Sequence, residues 1–420
     1  MRLKMIRLTK EEARNFLLAK QGLLGYKQFS GKEGLMDFVR QAGSVQFDPV
    51  DVCGTSPELT LQARIEYFTK EMLDELLYQD RLLIDFFDKN LCILPIEDLT
   101  VFTRKYAGIS YAEAMARRQS EPVLQMMIEI RKILSEKEYI FAKDLRHLES
   151  GNLIWDWGAS SSVARAALET MYFKGELIIH HKNGRQKAYA LAEKFLSAKL
   201  LSAKSPFESE LDYHQQLVLR RIGTIGFLWN KRSDAWLGIE HFKTFERNQA
   251  FQSLLEDKKI TEIQIEGIST IFYMKKEDEK LLTSSHLVPD RSDSLSVNPK
   301  SPVRMEFLAP LDNLLWDRNL IREIFDFDYK WEIYTPKEKR KYGAYVLPVL
   351  YKNRFVGRLE IERHTKEKVL LVKNFWLEDN EVFNKSCKEA FSTCVEVFRA
   401  FNHCEKVEYV KGWCKENDQK

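Results

Sequence analysis

The order of segments between residues 122 and 191 narrows the fold more than any other feature of the chain. From Pro122, "PVLQMMIEIRKILSEKEYI" spaces its apolar residues at the helical period. "FAKDLRHLE" predicts a short second helix, and "SSSVARAALETMYFKGEL" a third, with serines placed to cap it. "LIIHH", the turn "KNGRQ" and "KAYAL" then read as two strands joined through an Asn-Gly hairpin. Three helices followed by a basic hairpin are the signature expected of a winged helix.

The same order returns less cleanly over residues 210–275: helices at "ELDYHQQLVLRRIG", "SDAWLGI" and "KTFERNQAFQSLLED", then alternating "ITEIQIEG" and "STIFYM". The N-terminal helices at "TKEEARNFLLAKQGLL" and "GLMDFVRQAG" suit a further, modified copy. The copies repeat a pattern and share no obvious residue identity. "TSSHLVPDRSDSLSVNPKSP", residues 283–302, has no periodic apolar pattern and separates two patterned regions. A lesser boundary falls in "SAKLLSAKSPFES", where Pro206 discourages continuation of a helix.

Beyond residue 302, "YGAYVLPVLYKNRFVGRLEIERHTKEKVLLVKNFWLE" alternates apolar and polar residues across turns, and "EVFNKSCKEAFSTCVEVFRAFN" reads as a closing helix. The expected class is α+β: three tandem winged-helix units, then a small antiparallel β-domain or barrel with a C-terminal helix. The division is 1–120, 121–205, 206–282, a linker over 283–302, and 303–420.

With 420 residues, 44% of them hydrophobic, the chain has ample material for several cores. No run approaches the roughly 18 uncharged apolar residues of a membrane span, and "MRLKMIRLTKEEARNF" shows no signal-peptide pattern. A cytoplasmic protein is expected. The cysteines at 53, 92, 387, 394, 404 and 414 lack CxxC pairing and matching histidine spacing, and read as reduced structural thiols. Sixty-five basic against 62 acidic residues leave a net charge of +3, too balanced to name a polyanionic partner, so any nucleic-acid surface must come from local clustering.

Two clusters qualify. The third helix of the 121–205 unit offers Ser161, Ser162 and Arg165, and the hairpin offers Lys182, Arg185 and Lys187. "TPKEKRKYG" joins Lys337, Lys339, Arg340 and Lys341 to Tyr342, a combination suited to phosphate neutralisation and stacking. The plainer alternatives are a protein-binding winged helix and a solvated charge run. The chain has no GxxxxGK[ST], HExxH, GxSxG or GxGxxG pattern, and His180 with His181 has no third ligand in view, which sets aside helicase, metalloprotease and dehydrogenase chemistry.

"SVQFDPVDV", residues 44–52, sets Gln46 and Asp48 into an apolar run. In extended chain an i, i+2 pair points to one side, and Pro49 keeps Asp48 away from helical geometry. A carboxylate beside an amide can orient and deprotonate a water and stabilise cationic charge on a sugar. The alternative is structural: Asp48 capping a turn, Gln46 binding backbone.

"GSVQFDPVDV", "LTLQARI", "LDELLYQDRLLIDFF", "CILPIED" and the block "LAPLDNLLWDRNLIREIFDFDYKWEIYTPKEKRKYGAYVLPVLYKNRFVGRLEIE", residues 308–362, resemble the AlkZ/YcaQ family of winged-helix DNA glycosylases. The resemblance covers nearly the whole chain. It implies three winged-helix units and a β-domain around a DNA-binding cleft, removal of alkylated, chiefly N7-substituted, purines from duplex DNA, and unhooking of interstrand crosslinks by some members. It places Gln46 and Asp48 at the family's Gln-hydrophobic-Asp positions, Asp48 holding the attacking water and Gln46 helping to position it. Arg64, in "LTLQARI", joins the expected DNA contacts. The crosslink-unhooking branch carries histidines where this chain reads "CGTSPELTLQAR" and "FFDKNLC"; their absence bears on lesion spectrum rather than fold. The expected activity is that of a monofunctional DNA glycosylase needing no metal or organic cofactor and acting as a nucleoid-associated monomer; the alternative is a non-enzymatic winged-helix DNA-binding or regulatory protein.

Overall fold

The computed structural model describes residues 5–107, 111–148, 152–154, 160–204, 206–282, 303–379 and 381–415; the expected linker over 283–302 lies outside them. Packing divides the chain into two compact units, Leu73–Glu208 and a second made of Met1–Met72 with Ser209–Lys420.

In the Leu73–Glu208 unit the helix Tyr111–Glu136 starts well before Pro122 and runs through it. A proline inside a helix removes one backbone donor, but Ala, Glu, Met and Arg residues ahead of it are strong helix formers. The expected second helix is a 3-10 segment, Ala142–Leu148. The third, Val163–Phe173, is capped by Ser162, whose hydroxyl accepts from the Arg165 N–H at 3.3 Å. It buries Ala164, Ala167, Leu168 and Met171. Leu177–Asn183 and Gln186–Leu191 pair antiparallel, and Ile140–Phe141 adds to the second strand. The turn sits one residue later than the Asn-Gly reading: Asn183 pairs with Gln186, Gly184 takes φ +56°, and the loop is Gly184–Arg185. Glycine first and an ordinary residue second is the II′ pattern, which matches strand twist as well as I′ does.

The other unit is sewn together from both ends of its sequence. Before the helix Lys10–Lys20, capped by a Thr9/Glu12 box, the chain forms the strand Ile6–Leu8, which lies parallel to Ile260–Ile265. That strand extends the hairpin of Ile260–Ile265 with Ile271–Lys275, and Phe227–Trp229 completes the four-stranded sheet.

The C-terminal sheet has Met305–Phe307, Leu347–Tyr351, Arg354–His364 and Val369–Leu377 in antiparallel order, with register irregularities at 349/350 and 360/361 that suit a curled half-barrel. It is not wholly antiparallel: Lys406–Tyr409 and Cys414–Lys415 pair parallel to Val369–Leu377. The helix Lys385–Phe401 intervenes, and a strand that returns after a helical crossover arrives in the same direction it left. This helix buries Cys387, Phe391, Cys394, Val395 and Phe398 in the core formed with Phe307, Leu347, Leu359, Val372 and Phe375. None of the six cysteines forms a disulfide among the described residues, and all but Cys414 are buried.

Gly357 sits where strands close tightly. A Cβ there would lie 2.5 Å from the Phe375 ring and 2.6 Å from the Trp376 carbonyl, and a backbone atom cannot retreat as a side chain can. Gly357→Ala is expected to cost about 1–3 kcal/mol, read as a lower urea midpoint with an unchanged m-value.

Candidate active site

Gln46 ends the short strand Val45–Gln46, and the chain leading into it is clamped from outside its own segment. Three successive carbonyls are each taken by a side chain: Ala42 by Thr224 Oγ1 at 2.6 Å, Gly43 by the Arg220 guanidinium, and Ser44 by Asn313 Nδ2 at 2.7 Å. The loop carrying Asn313 is fixed in turn by Asp312. Its carboxylate receives both terminal nitrogens of Arg64 at 2.7 Å, and the Leu314 N–H at 2.9 Å. Arg64 and Asp312 are both fully buried, and Arg64 also donates to Gln21 Oε1 at 3.0 Å.

On the far side of Asp48 the chain is pinned again. Asp51 Oδ2 pairs with Arg363 at 2.7 Å, the Arg363 N–H donates to the Val52 carbonyl at 3.0 Å, and Thr55 and Glu58 form a capping box for Ser56–Gln62. Cys53 and Leu59 sink into the core of the C-terminal sheet, against which Val50 and Val52 also pack.

Between these anchors Asp48 is half-buried and Gln46 buried. Asp48 Oδ1 accepts the Val50 N–H at 2.9 Å, so the turn-capping role anticipated as the structural alternative is real. It occupies one oxygen. Oδ2 takes no hydrogen bond among the described residues, which leaves a held, negatively charged acceptor. Beneath lies Tyr345, its hydroxyl 3.5 Å from the Gly54 carbonyl; burial, with the neighbouring Cys53 thiol and Asp48 among the contributing charges, pushes its phenol well above the usual value, so it stays protonated. The pinned backbone and single open carboxylate oxygen can place and deprotonate one water.

The other residues anticipated from sequence fare unevenly. Arg64 is corrected: a fully buried guanidinium with both ends committed to Asp312 offers nothing to a phosphate. Lys182 is drawn to the buried Asp85, 2.5 Å away, and Lys187 is half-buried over the Tyr172 ring, its ammonium lowered in pKa by burial. Arg185, at the hairpin tip, is exposed and has no ion pair among the described residues. Arg165 is exposed and 3.0 Å from Glu169; the Ser161 side chain lies outside the described ones.

The cluster over 337–342 is formed by the 3-10 turn Lys337–Lys339 and the loop that follows it, ahead of the strand Leu347–Tyr351. Lys339 is exposed, whereas Arg340 folds back onto the Thr335 carbonyl at 2.7 Å. The Tyr342 ring lies among Lys341, Arg358 and Trp376, with the Arg358 guanidinium 4.5 Å from its centre. Buried Glu332 shapes this loop. Burial opposes its charge, yet the N–H groups of Lys341, Tyr342 and Gly343 hold its carboxyl below the ordinary value. Asp85, Asp312, Asn313 and Glu332 escaped sequence reasoning, since short-range patterns do not reveal which acid will meet which distant donor.

If Arg185 and Lys339 neutralise phosphates, Arg185→Ala and Lys339→Ala should each reduce the slope of log affinity against log salt by about 1 on undamaged duplex. Lys182→Ala should leave that slope unchanged and lower thermal stability instead, because buried Asp85 loses its ammonium partner and keeps only the Tyr78 hydroxyl, 3.0 Å from Oδ2.

A cavity of about 1080 Å³ lies elsewhere in the unit that holds Asp48, lined by Ile65, Tyr67, Phe68, Met305, Val397 and Phe401 among others, and includes neither Gln46 nor Asp48.

The mixed α+β fold, with its curled C-terminal sheet, is similar to that of Streptomyces sahachiroi DNA glycosylase AlkZ, with a TM-score of 0.60 over 96% of this chain and 100% of that one at 14% identity. Residues 39–401 match the family model described as DNA glycosylase AlkZ-like, and the chain belongs to that family. It is a DNA glycosylase, a repair enzyme that hydrolyses N-glycosyl bonds, and DNA is its partner.

Proposed function

We propose that the protein excises alkylated purines, N7-substituted ones foremost, from duplex DNA, with Asp48 as the carboxylate that activates water and Gln46 as its positioning partner. The observation that carries this reading is Asp48 itself, held through Oδ1 by the Val50 N–H and open at Oδ2. A water proton passes to Oδ2 and the water oxygen bonds to C1′. The C1′–N9 bond breaks, and its electron pair neutralises the purine that alkylation had made cationic. Such a leaving group departs without a strong general acid, so stabilising the sugar cation and placing the water suffice. An abasic site remains.

The succession of helix, 3-10 turn, capped helix and hairpin in the Leu73–Glu208 unit supports a winged-helix reading there, and residues 210–275 repeat that succession. Three winged-helix units ahead of the C-terminal sheet, acting as a cytoplasmic monomer on the nucleoid, complete the proposal. Base release from a duplex with one N7-methylguanine, read as alkali-labile strand cleavage above spontaneous depurination, tests it. An unmodified duplex should remain intact, and a crosslinked duplex shows whether unhooking belongs to the activity. No release from any modified duplex would overturn the reading.

A further inference from the structure

Trp331 lies in the segment between the helix Arg318–Phe325 and the turn Lys337–Lys339. Its half-buried ring packs on the core cluster that contains Tyr345 and Cys53, the cluster that Val50 and Val52 also touch on leaving Asp48. Its centroid is 6.2 Å from Tyr345 at 80° and 5.9 Å from Tyr334 at 72°, both edge-to-face. Tyr334 is 83% exposed. Three aromatic rings therefore step inward from solvent to the phenol beside the Asp48 turn.

The indole carries a second mark. Trp331 Nε1 is buried and has no hydrogen-bond acceptor among the described residues. A buried donor is ordinarily paired, and one left open beside a site is accounted for when a ligand brings the acceptor. The donor is also held still: Glu332, the next residue, accepts three consecutive backbone N–H groups from 341–343 at 2.9, 2.9 and 3.3 Å.

We infer that Trp331 is a substrate-contact residue: the target purine, turned out of the duplex, rests against the Trp331 and Tyr334 rings, and Trp331 Nε1–H donates to an acceptor on its edge. This deepens the assignment of Asp48 and rests on it. An aromatic wall holds any purine by stacking, while a fixed donor favours one whose edge presents an acceptor at that point. The same N–H would also suit a phosphate oxygen, and the two sources separate experimentally.

The full-length wild type, Trp331→Phe, Trp331→Ala and Tyr334→Ala are compared in single-turnover base release from the N7-methylguanine duplex and in binding to an undamaged duplex. Phenylalanine keeps a ring and deletes only the donor. Trp331→Phe is expected to slow release about tenfold, as for loss of one hydrogen bond, while binding undamaged duplex within twofold of wild type. Trp331→Ala should slow release further, and exposed Tyr334→Ala should slow it severalfold with an unchanged melting temperature. Trp331→Phe at the wild-type rate would overturn the inference, as would equal weakening on undamaged duplex, which marks a phosphate contact. Asp48→Asn, run alongside, isolates the other failure: if it releases base at full rate, the reading of Asp48 falls on its own account.

Discussion

Asp48→Asn is expected to slow single-turnover release of N7-methylguanine by about 10²–10⁴-fold, the usual contribution of a positioned general base. The substitution separates the two duties of this side chain. Asparagine retains an oxygen able to accept the Val50 N–H, so the turn at 48–50 survives and the fold should be spared. The second position becomes an amide nitrogen that can neither take a proton from water nor oppose positive charge on the sugar. Affinity for undamaged duplex and the melting temperature should therefore match wild type. Retention of full activity would mean that the turn is the only duty of Asp48 and that another group acts on the water. Gln46→Ala should be milder in rate and costlier in stability, because Gln46 is buried.

Arg64→Ala is the change expected to damage the protein most broadly, by about 3–5 kcal/mol, because it strands the Asp312 carboxylate in a site with no access to solvent. In a unit of this size each kcal/mol lowers the melting temperature by about 2 °C, so a fall of roughly 5–10 °C is expected in calorimetry. Catalysis should suffer at temperatures where the protein is still folded, since the loop that carries Asn313 to the Ser44 carbonyl loses its anchor. The paired replacement Arg64→Met with Asp312→Leu removes both charges and should recover much of the stability, as buried ion pairs often add little over apolar packing. If Arg64 instead contacted DNA, Arg64→Ala would leave the melting temperature unchanged and flatten the salt dependence of binding.

The sequence disclosed what short range controls. Apolar spacing located Val163–Phe173, Glu210–Ile225 and Thr244–Glu256, turn chemistry located the hairpin at Gly184, and alternation located the strands from Leu347 to Leu377. It did not disclose long-range partnerships. Ile6–Leu8 is three residues long, too short for any period, and becomes a strand only because Ile260–Ile265 offers an edge. Arg64 reads as a surface cation until Asp312 is placed against it, 248 residues away. The parallel strands at the end of the chain depend on the crossover helix lying on the sheet, which alternation cannot show. The Gln-x-Asp spacing was legible, whereas the clamps that hold it come from residues 220, 224 and 313.

Those clamps bear on how the enzyme comes into being on the ribosome. Asn313 is made 269 residues after the Ser44 carbonyl it holds, an interval of roughly 15–50 s at translation rates of about 5–20 residues per second. Over the last stretch of that interval, from residue 208 to residue 313 and about 5–20 s long, the Leu73–Glu208 unit has its own complete sequence and can acquire its shape, but Asp48 still lacks the brace at Ser44. A nascent or prematurely terminated chain is thus a poor cutter of glycosidic bonds even though it already contains Gln46 and Asp48, and competence arrives late in synthesis.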